Sequence, residues 1–139
     1  MDHTPNEMMT IAAARPLRNE DVCFVGIGAP SAACNLARLT HAPDITLIYE
    51  SGTIGTRPDI LPLSIGDGEL CDTALTTVPV PEMFRYWLQG GRVTLGFLGG
   101  AQIDRFANPA SYTHLTLPTT LRVALPVLRG RYRNKRVVS

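Results

Sequence analysis

Val22-Cys23-Phe24-Val25-Gly26-Ile27-Gly28-Ala29-Pro30-Ser31 decides the fold class. Its first four residues are a short apolar run, rich in β-branched and aromatic side chains, of the kind that forms a strand buried on both faces. Gly26 and Gly28 break the run, and Ser31 is suited to cap a helix in which Ala32, Ala33, Leu36, Ala37 and Leu39 fill one side, before Pro43 stops it. The unit is strand, glycine turn, helix. Outward from it the same grammar repeats. Residues 45–49 (Ile-Thr-Leu-Ile-Tyr) are a second strand, and Glu50-Ser51-Gly52 falls where it must end. Residues 93–98 are a third, running into Gly99-Gly100-Ala101-Gln102. Strands alternating with helices predict an α/β domain: an open, mainly parallel sheet flanked by helices.

The remaining elements fit this frame. Thr4-Pro5-Asn6-Glu7 is a capping box with proline at the first helical position, which predicts a helix over 5–14. Residues 51–68 carry Gly52, Gly55, Pro58, Pro62, Gly66 and Gly68, which leaves no room for a regular element; a loop this long is usually functional. Pro81 and Glu82 open a helix with Met83, Phe84, Trp87 and Leu88 at helical spacing, closed by Gly90-Gly91.

The chain has 139 residues and a formal net charge of +1, the size of one ordinary domain. No apolar stretch approaches the roughly 18 residues that span a bilayer, and Asp2, His3 and Thr4 do not begin a signal peptide. A cytoplasmic protein is expected. Cys23, Cys34 and Cys71 are odd in number and lack metal-site spacing, and His3, His41 and His114 are scattered, so reduced core thiols and no metal are expected. Trp87, Phe84 and Tyr86 read as packing residues, and Asp67 and Glu69 as loop charges. The charge is uneven: residues 1–110 hold seven arginines against twelve acids, net −5, and the remainder holds six bases and no acid.

Ligands of open parallel sheets gather at the carboxyl ends of strands, and three such ends here carry glycine-rich turns. Two chemistries fit the residues. Gly26-x-Gly28 after a strand, with Glu50 closing the next, matches part of a dinucleotide fingerprint; Ser31 replaces its third small residue, and Pro30 has no N–H for a phosphate, so a plain tight turn fits equally well. Alternatively Glu50, with Gly52 removing bulk beside it, is a carboxylate nucleophile for acyl groups. A solvated loop carboxylate is the bland counterpart of that reading.

Asn-Glu-Met-Met at 6–9, Val-Gly-Ile-Gly at 25–28, Ile-Tyr-Glu-Ser-Gly at 48–52, Leu-Pro-Leu-Ser-Ile-Gly-Asp at 61–67, Phe-Arg-Tyr-Trp-Leu-Gln-Gly-Gly-Arg at 84–92 and Gly-Gly-Ala-Gln-Ile-Asp at 99–104 carry a resemblance. Together they resemble the β subunits of family I CoA-transferases, the 3-oxoadipate branch above all and the glutaconate branch next. The resemblance implies that Glu50 is the nucleophile. It also implies that Gly26, Gly28, Ser51, Gly52, Gly99, Gly100, Ala101 and Gln102 surround substrate and CoA. The route implied is ping-pong, from an acyl-CoA such as succinyl-CoA to a carboxylic acid such as 3-oxoadipate through a glutamyl-CoA thioester. No permanently bound cofactor is implied, the CoA thioester being a substrate. The implied partner is an α subunit, with no nucleic acid and no membrane. A nucleophilic carboxylate needs hydrogen bonds or positive charge to offset desolvation, and Gln102 is the candidate to orient it, against a simple turn role. A hydrolase of ring-cleavage CoA thioesters and a non-catalytic nucleotide-binding module are the alternatives.

The likeness fades at Ala107 and is gone by Pro109, so residues 1–108 are expected to be the N-terminal part of the β-subunit domain and 109–139 a non-homologous basic tail. Ser111-Tyr112-Thr113-His114-Leu115-Thr116-Leu117-Pro118-Thr119 reads as one frame of a transposon-type sequencing adapter, so the tail is expected to be read-through, the sheet edge bare, and the chain inactive alone.

Overall fold

The computed structural model describes residues 3–97 and, as backbone strands, 102–103, 109–110 and 127–129. Helix α1 (Pro5–Ala14) starts as its sequence dictates: Glu7 N–H donates to Thr4 Oγ1 at 3.3 Å, and Thr4 N–H donates to the Glu7 carboxylate at 2.7 Å. Those bonds from Thr4 hold the Glu7 pKa below the usual carboxylate value. Strand β1 (Val22–Val25) follows, then α2 (Ala29–Thr40), β2 (Thr46–Tyr49), β3 (Thr53–Ile54), α3 (Gly68–Asp72) and β4 (Thr76–Thr77). A single helical turn, α4 (Val80–Glu82), runs into a π-helical segment (Met83–Leu88), and β5 is Leu95–Phe97. Strands β6 (Gln102–Ile103) and β7 (Pro109–Ala110) pair with each other, and β8 is Val127–Arg129.

The main sheet has the order β4-β3-β2-β1-β5-β8. Its centre is parallel: β1 lies between β2 and β5, with Val25 opposite Tyr49 and Phe24 opposite Gly96. Its flanks are antiparallel, so the sheet is mixed, and β8 covers the outer edge of β5 that was expected to be bare. One face packs on α1 and α2 through Cys23, Val25, Leu47, Tyr49, Leu95 and Phe97. The other packs on the π-helical segment through Phe24, Ile48, Ile54 and Met83. Burial on both faces explains why β1 reads as an unbroken apolar run.

Asp21 sets the β1–β5 register. Its carboxylate accepts from Arg18 N–H at 2.9 Å and from the Thr94 hydroxyl at 3.0 Å, and Thr94 Oγ1 accepts from Val22 N–H at 3.0 Å. Five local expectations need correction. Helix α2 is capped by Gly28, not Ser31, because Gly28 takes φ +89° and Pro30 then sits in the first turn. Its inward stripe is Ala33, Cys34 and Ala37 with the polar Ser31 and Asn35, while Leu39 is 72% exposed. The 51–68 loop contains β3, because the chain doubles back after Gly52 to pair Ile54 with Ile48. The fourth helix begins at Val80 and widens, Gln89 N–H bonding the Phe84 carbonyl five residues back at 2.9 Å. Cys71 is exposed, and only Cys23 and Cys34 are core thiols. Among the described residues, no helix is long and apolar enough to cross a membrane.

Candidate active site

Val25 and Tyr49 end parallel neighbours in register, so Gly26 and Glu50 leave the sheet side by side. β5 lies on the other side of β1, so its carboxyl end is about 10 Å from that of β2. The chain crosses from β1 to β2 over the α1/α2 face and reaches β5 over the opposite face. The β1/β5 boundary is therefore where the winding changes sides, and its carboxyl edge is where such sheets bind ligands. Gly26, Gly28, Glu50, Ser51 and Gly52 all lie on this edge. Gly99, Gly100 and Ala101 lie outside the described residues, and Gln102, read as part of a turn, begins β6.

The turn that carries Glu50 is tightly specified. Gly52 N–H donates to the Tyr49 carbonyl at 3.0 Å, closing a reverse turn over Glu50 and Ser51. Gly52 has φ +97°, and a Cβ there would collide with the Val78 carbonyl. Val78 N–H in turn donates to the Gly52 carbonyl at 2.9 Å, and Gly55 N–H donates to the Leu47 carbonyl at 2.8 Å. Glu50 itself is exposed, and no described side chain hydrogen-bonds its carboxylate. On either side of Gly52, Ser51 Oγ and Thr53 Oγ1 are buried without a hydrogen-bond partner. An unsatisfied buried hydroxyl costs about 1–3 kcal/mol, which makes these two the groups with hydrogen-bonding capacity to offer beside Glu50.

Gly28 and Gly26 differ in kind. Gly28 is required by its φ of +89°, the tight-turn role. Gly26 has ordinary φ, and a Cβ on it would meet nothing closer than Pro30 Cγ at 3.9 Å, so no described residue demands a glycine there. The positive end of the twelve-residue α2 opens on the same edge and favours negative charge, although Pro30 withholds one N–H. Asp67 and Glu69 are structural: Asp67 caps α3 and accepts from Leu63 N–H at 3.0 Å, and Glu69 accepts from Asp59 N–H at 2.8 Å. His41 is tied to the Leu17 carbonyl at 3.2 Å.

Sequence reasoning missed a buried polar set next to Glu50. Tyr49 is fully buried with its hydroxyl 2.8 Å from Ser31 Oγ, and burial pushes its phenol pKa up, partly offset by that hydrogen bond. Ser31, Asn35 and Arg38 recur at i, i+4 and i+7 of α2, a polar stripe within an otherwise apolar helix face that signals such a contact.

Comparison with known proteins agrees with this architecture. The sequence pattern described as Coenzyme A transferase matches residues 6–120. The chain is 69% identical over 106 residues to a 3-oxoadipate CoA-transferase subunit of Pseudomonas knackmussii, covering 76% of this chain and 41% of that protein. Glutaconate coenzyme A-transferase of Acidaminococcus fermentans superposes with a TM-score of 0.70 at 29% identity, over 78% of this chain and 44% of that one. The decarboxylase AibA/AibB superposes with a TM-score of 0.66 at 30% identity, over 78% of this chain and 46% of that one. The chain thus spans about two fifths of the length of the relatives it matches.

Proposed function

This chain belongs to the coenzyme A transferase family, and we propose that it supplies the nucleophilic carboxylate, Glu50, of an enzyme that moves CoA between carboxylic acids. The observation that carries the reading is the placement of Glu50: exposed at the carboxyl end of β2, level with Gly26, on a turn that admits only glycine two residues later. The 69% identity to a 3-oxoadipate CoA-transferase subunit favours transfer over decarboxylation and 3-oxoadipate as the acceptor, and the motif resemblance implies an acyl-CoA such as succinyl-CoA as the donor.

The chemistry needs one carboxylate used twice. A Glu50 oxygen attacks the thioester carbonyl, the C–S bond breaks, and CoA thiolate leaves a mixed anhydride. The thiolate then attacks the glutamyl carbon and expels the donor's carboxylate, forming a glutamyl-CoA thioester. The acceptor carboxylate attacks that thioester, releases the thiolate and makes a second anhydride, which the thiolate opens to give the new acyl-CoA and free Glu50. Binding energy from the nucleotide end of CoA is available to drive the anhydride steps. Ser51, Gly52, Gly26, Gly28 and residues Gly99, Gly100, Ala101 and Gln102 line the path in this proposal. The partner is a separate α subunit, the location cytoplasmic, and no cofactor is held permanently.

Incubating the assembled enzyme with acyl-CoA and reducing it with borohydride tests the nucleophile. A CoA thioester on Glu50, lost in Glu50→Gln, is expected; an active assembly without that adduct overturns the assignment. The same reading confines the family-like unit to 1–108, although the family match runs to residue 120. Sequencing source DNA across the codons for Phe106 to Thr119 tests this boundary. Source DNA that instead continues into glycine-rich β-subunit sequence marks the tail as read-through, whereas a confirmed Ser111–Ser139 makes it part of the protein.

A further inference from the structure

The polar stripe of α2 grips the Glu50 segment at both ends. At the near end, Ser31 Oγ is 2.8 Å from the hydroxyl of Tyr49, the residue immediately before Glu50. Asn35 Nδ2 donates to the Ser31 carbonyl at 2.9 Å and to Ser31 Oγ at 3.4 Å. Asn35 Oδ1 accepts from Arg38 Nε at 3.2 Å. At the far end, Arg38 Nη2 donates to the Pro58 carbonyl at 2.7 Å. Ser31 and Asn35 are 1% and 5% exposed, so the relay runs through the interior rather than over the surface. Burying this much polarity in a helix face costs stability unless every partner is held, and each partner here is held.

Residues 50–57 contain the candidate nucleophile, the positive-φ Gly52 and the short β3; backbone bonds at Gly52, Gly55 and Val78 and the Thr73 hydroxyl also hold this stretch, and the α2 relay adds a buried side-chain tie at each end. We propose that Arg38, acting through Asn35, Ser31 and Tyr49 and through the Pro58 carbonyl, is a positioning residue that sets the height of Glu50 above the sheet edge. The proposal rests on the reading of Glu50 as nucleophile. A planar guanidinium suits the task because it donates in two fixed directions at once, to Asn35 and to Pro58, which an ammonium group does with less definition.

Two measurements test it. In the 139-residue chain, Arg38→Met and Tyr49→Phe should speed hydrogen exchange of the Gly52 and Gly55 amides about tenfold. The amides of Thr46 and His41, bonded to Asp21 and Ala37, should stay within about twofold of the unmutated chain. In the enzyme assembled with its partner subunit, Arg38→Met should slow formation of the Glu50 thioester about 10- to 100-fold while leaving the KM for acyl-CoA within about twofold. Arg38→Lys should recover part of the loss, and added guanidinium at non-denaturing concentration should restore part of the rate in Arg38→Met. Arg38→Lys and Tyr49→Phe carry the test if Arg38→Met does not fold. Unchanged exchange at Gly52 and Gly55 together with an unchanged trapping rate overturns the positioning role while Glu50 stands. Full activity of Glu50→Gln in the assembly overturns the reading beneath it, and the proposal with it.

Discussion

Gly52→Ala is the sharpest test of how the candidate nucleophile is held. Gly52 has φ +97°, a region that costs an L residue about 1–2 kcal/mol. The added Cβ would collide with the Val78 carbonyl oxygen and lie 3.1 Å from its carbon. That carbonyl cannot simply move aside, because Val78 N–H is bonded to the Gly52 carbonyl at 2.9 Å. Relieving the clash breaks a backbone hydrogen bond, a further ~0.5–1.5 kcal/mol, against a gain of ~0.4–1 kcal/mol from restricting the unfolded chain. The net loss is about 0.5–3 kcal/mol, which for a domain of this size lowers Tm by about 2–12 °C. Because Glu50 sits two residues away, an ångström of displacement should also slow thioester formation about 10²-fold. Calorimetry reads the first effect and borohydride trapping in the assembled enzyme reads the second. An alanine variant that melts within about a degree of the parent and traps thioester at the same rate would refute the reasoning.

Gly26→Ala should behave in the opposite way. With ordinary φ and 3.9 Å to the nearest atom, it should hold or slightly raise Tm, yet slow thioester trapping if substrate crosses this point; unchanged trapping would assign Gly26 to the turn alone. Thiol labelling should modify exposed Cys71 at once and reach Cys23 and Cys34 only on unfolding, because the neighbouring Cys34 thiol, 3.6 Å away, and burial push the Cys23 pKa well up; three equal labelling rates would contradict this. Thr4→Ala should cost about 1 kcal/mol through loss of the α1 cap. Since Glu7 has a depressed folded pKa, its contribution is present above its unfolded value and lost as pH falls through the folded one, so the acid side of the stability profile should flatten in the Thr4→Ala variant.

Much of this protein was legible in the chain because its signals are local. The capping box at Thr4–Glu7 starts α1 using atoms from four consecutive residues, and the apolar run Val22–Val25 is a strand over those same four residues. The ends of β1 and β2 were marked by Gly26 and Glu50-Ser51-Gly52, so the candidate edge could be named without coordinates. What stayed hidden depends on residues distant in sequence. Ser31 read as a cap because serine commonly caps helices; whether it faces solvent or Tyr49 is decided by the rotation of α2 against β2. The antiparallel β2-β3-β4 flank is closed by Gly52 meeting Val78, twenty-six residues on, and the β1–β5 register by Asp21 meeting Thr94, seventy-three residues on. By itself the sequence determined the long local elements, α1, α2 and the parallel strands β1, β2 and β5, and the ends of β1 and β2, because those choices rest on backbone sterics and on the period of apolar side chains. The tertiary structure alone decided which breaks share an edge, which buried polar groups are satisfied, and how Glu50 is held, because those choices rest on contacts that exist only after the chain has closed its loops.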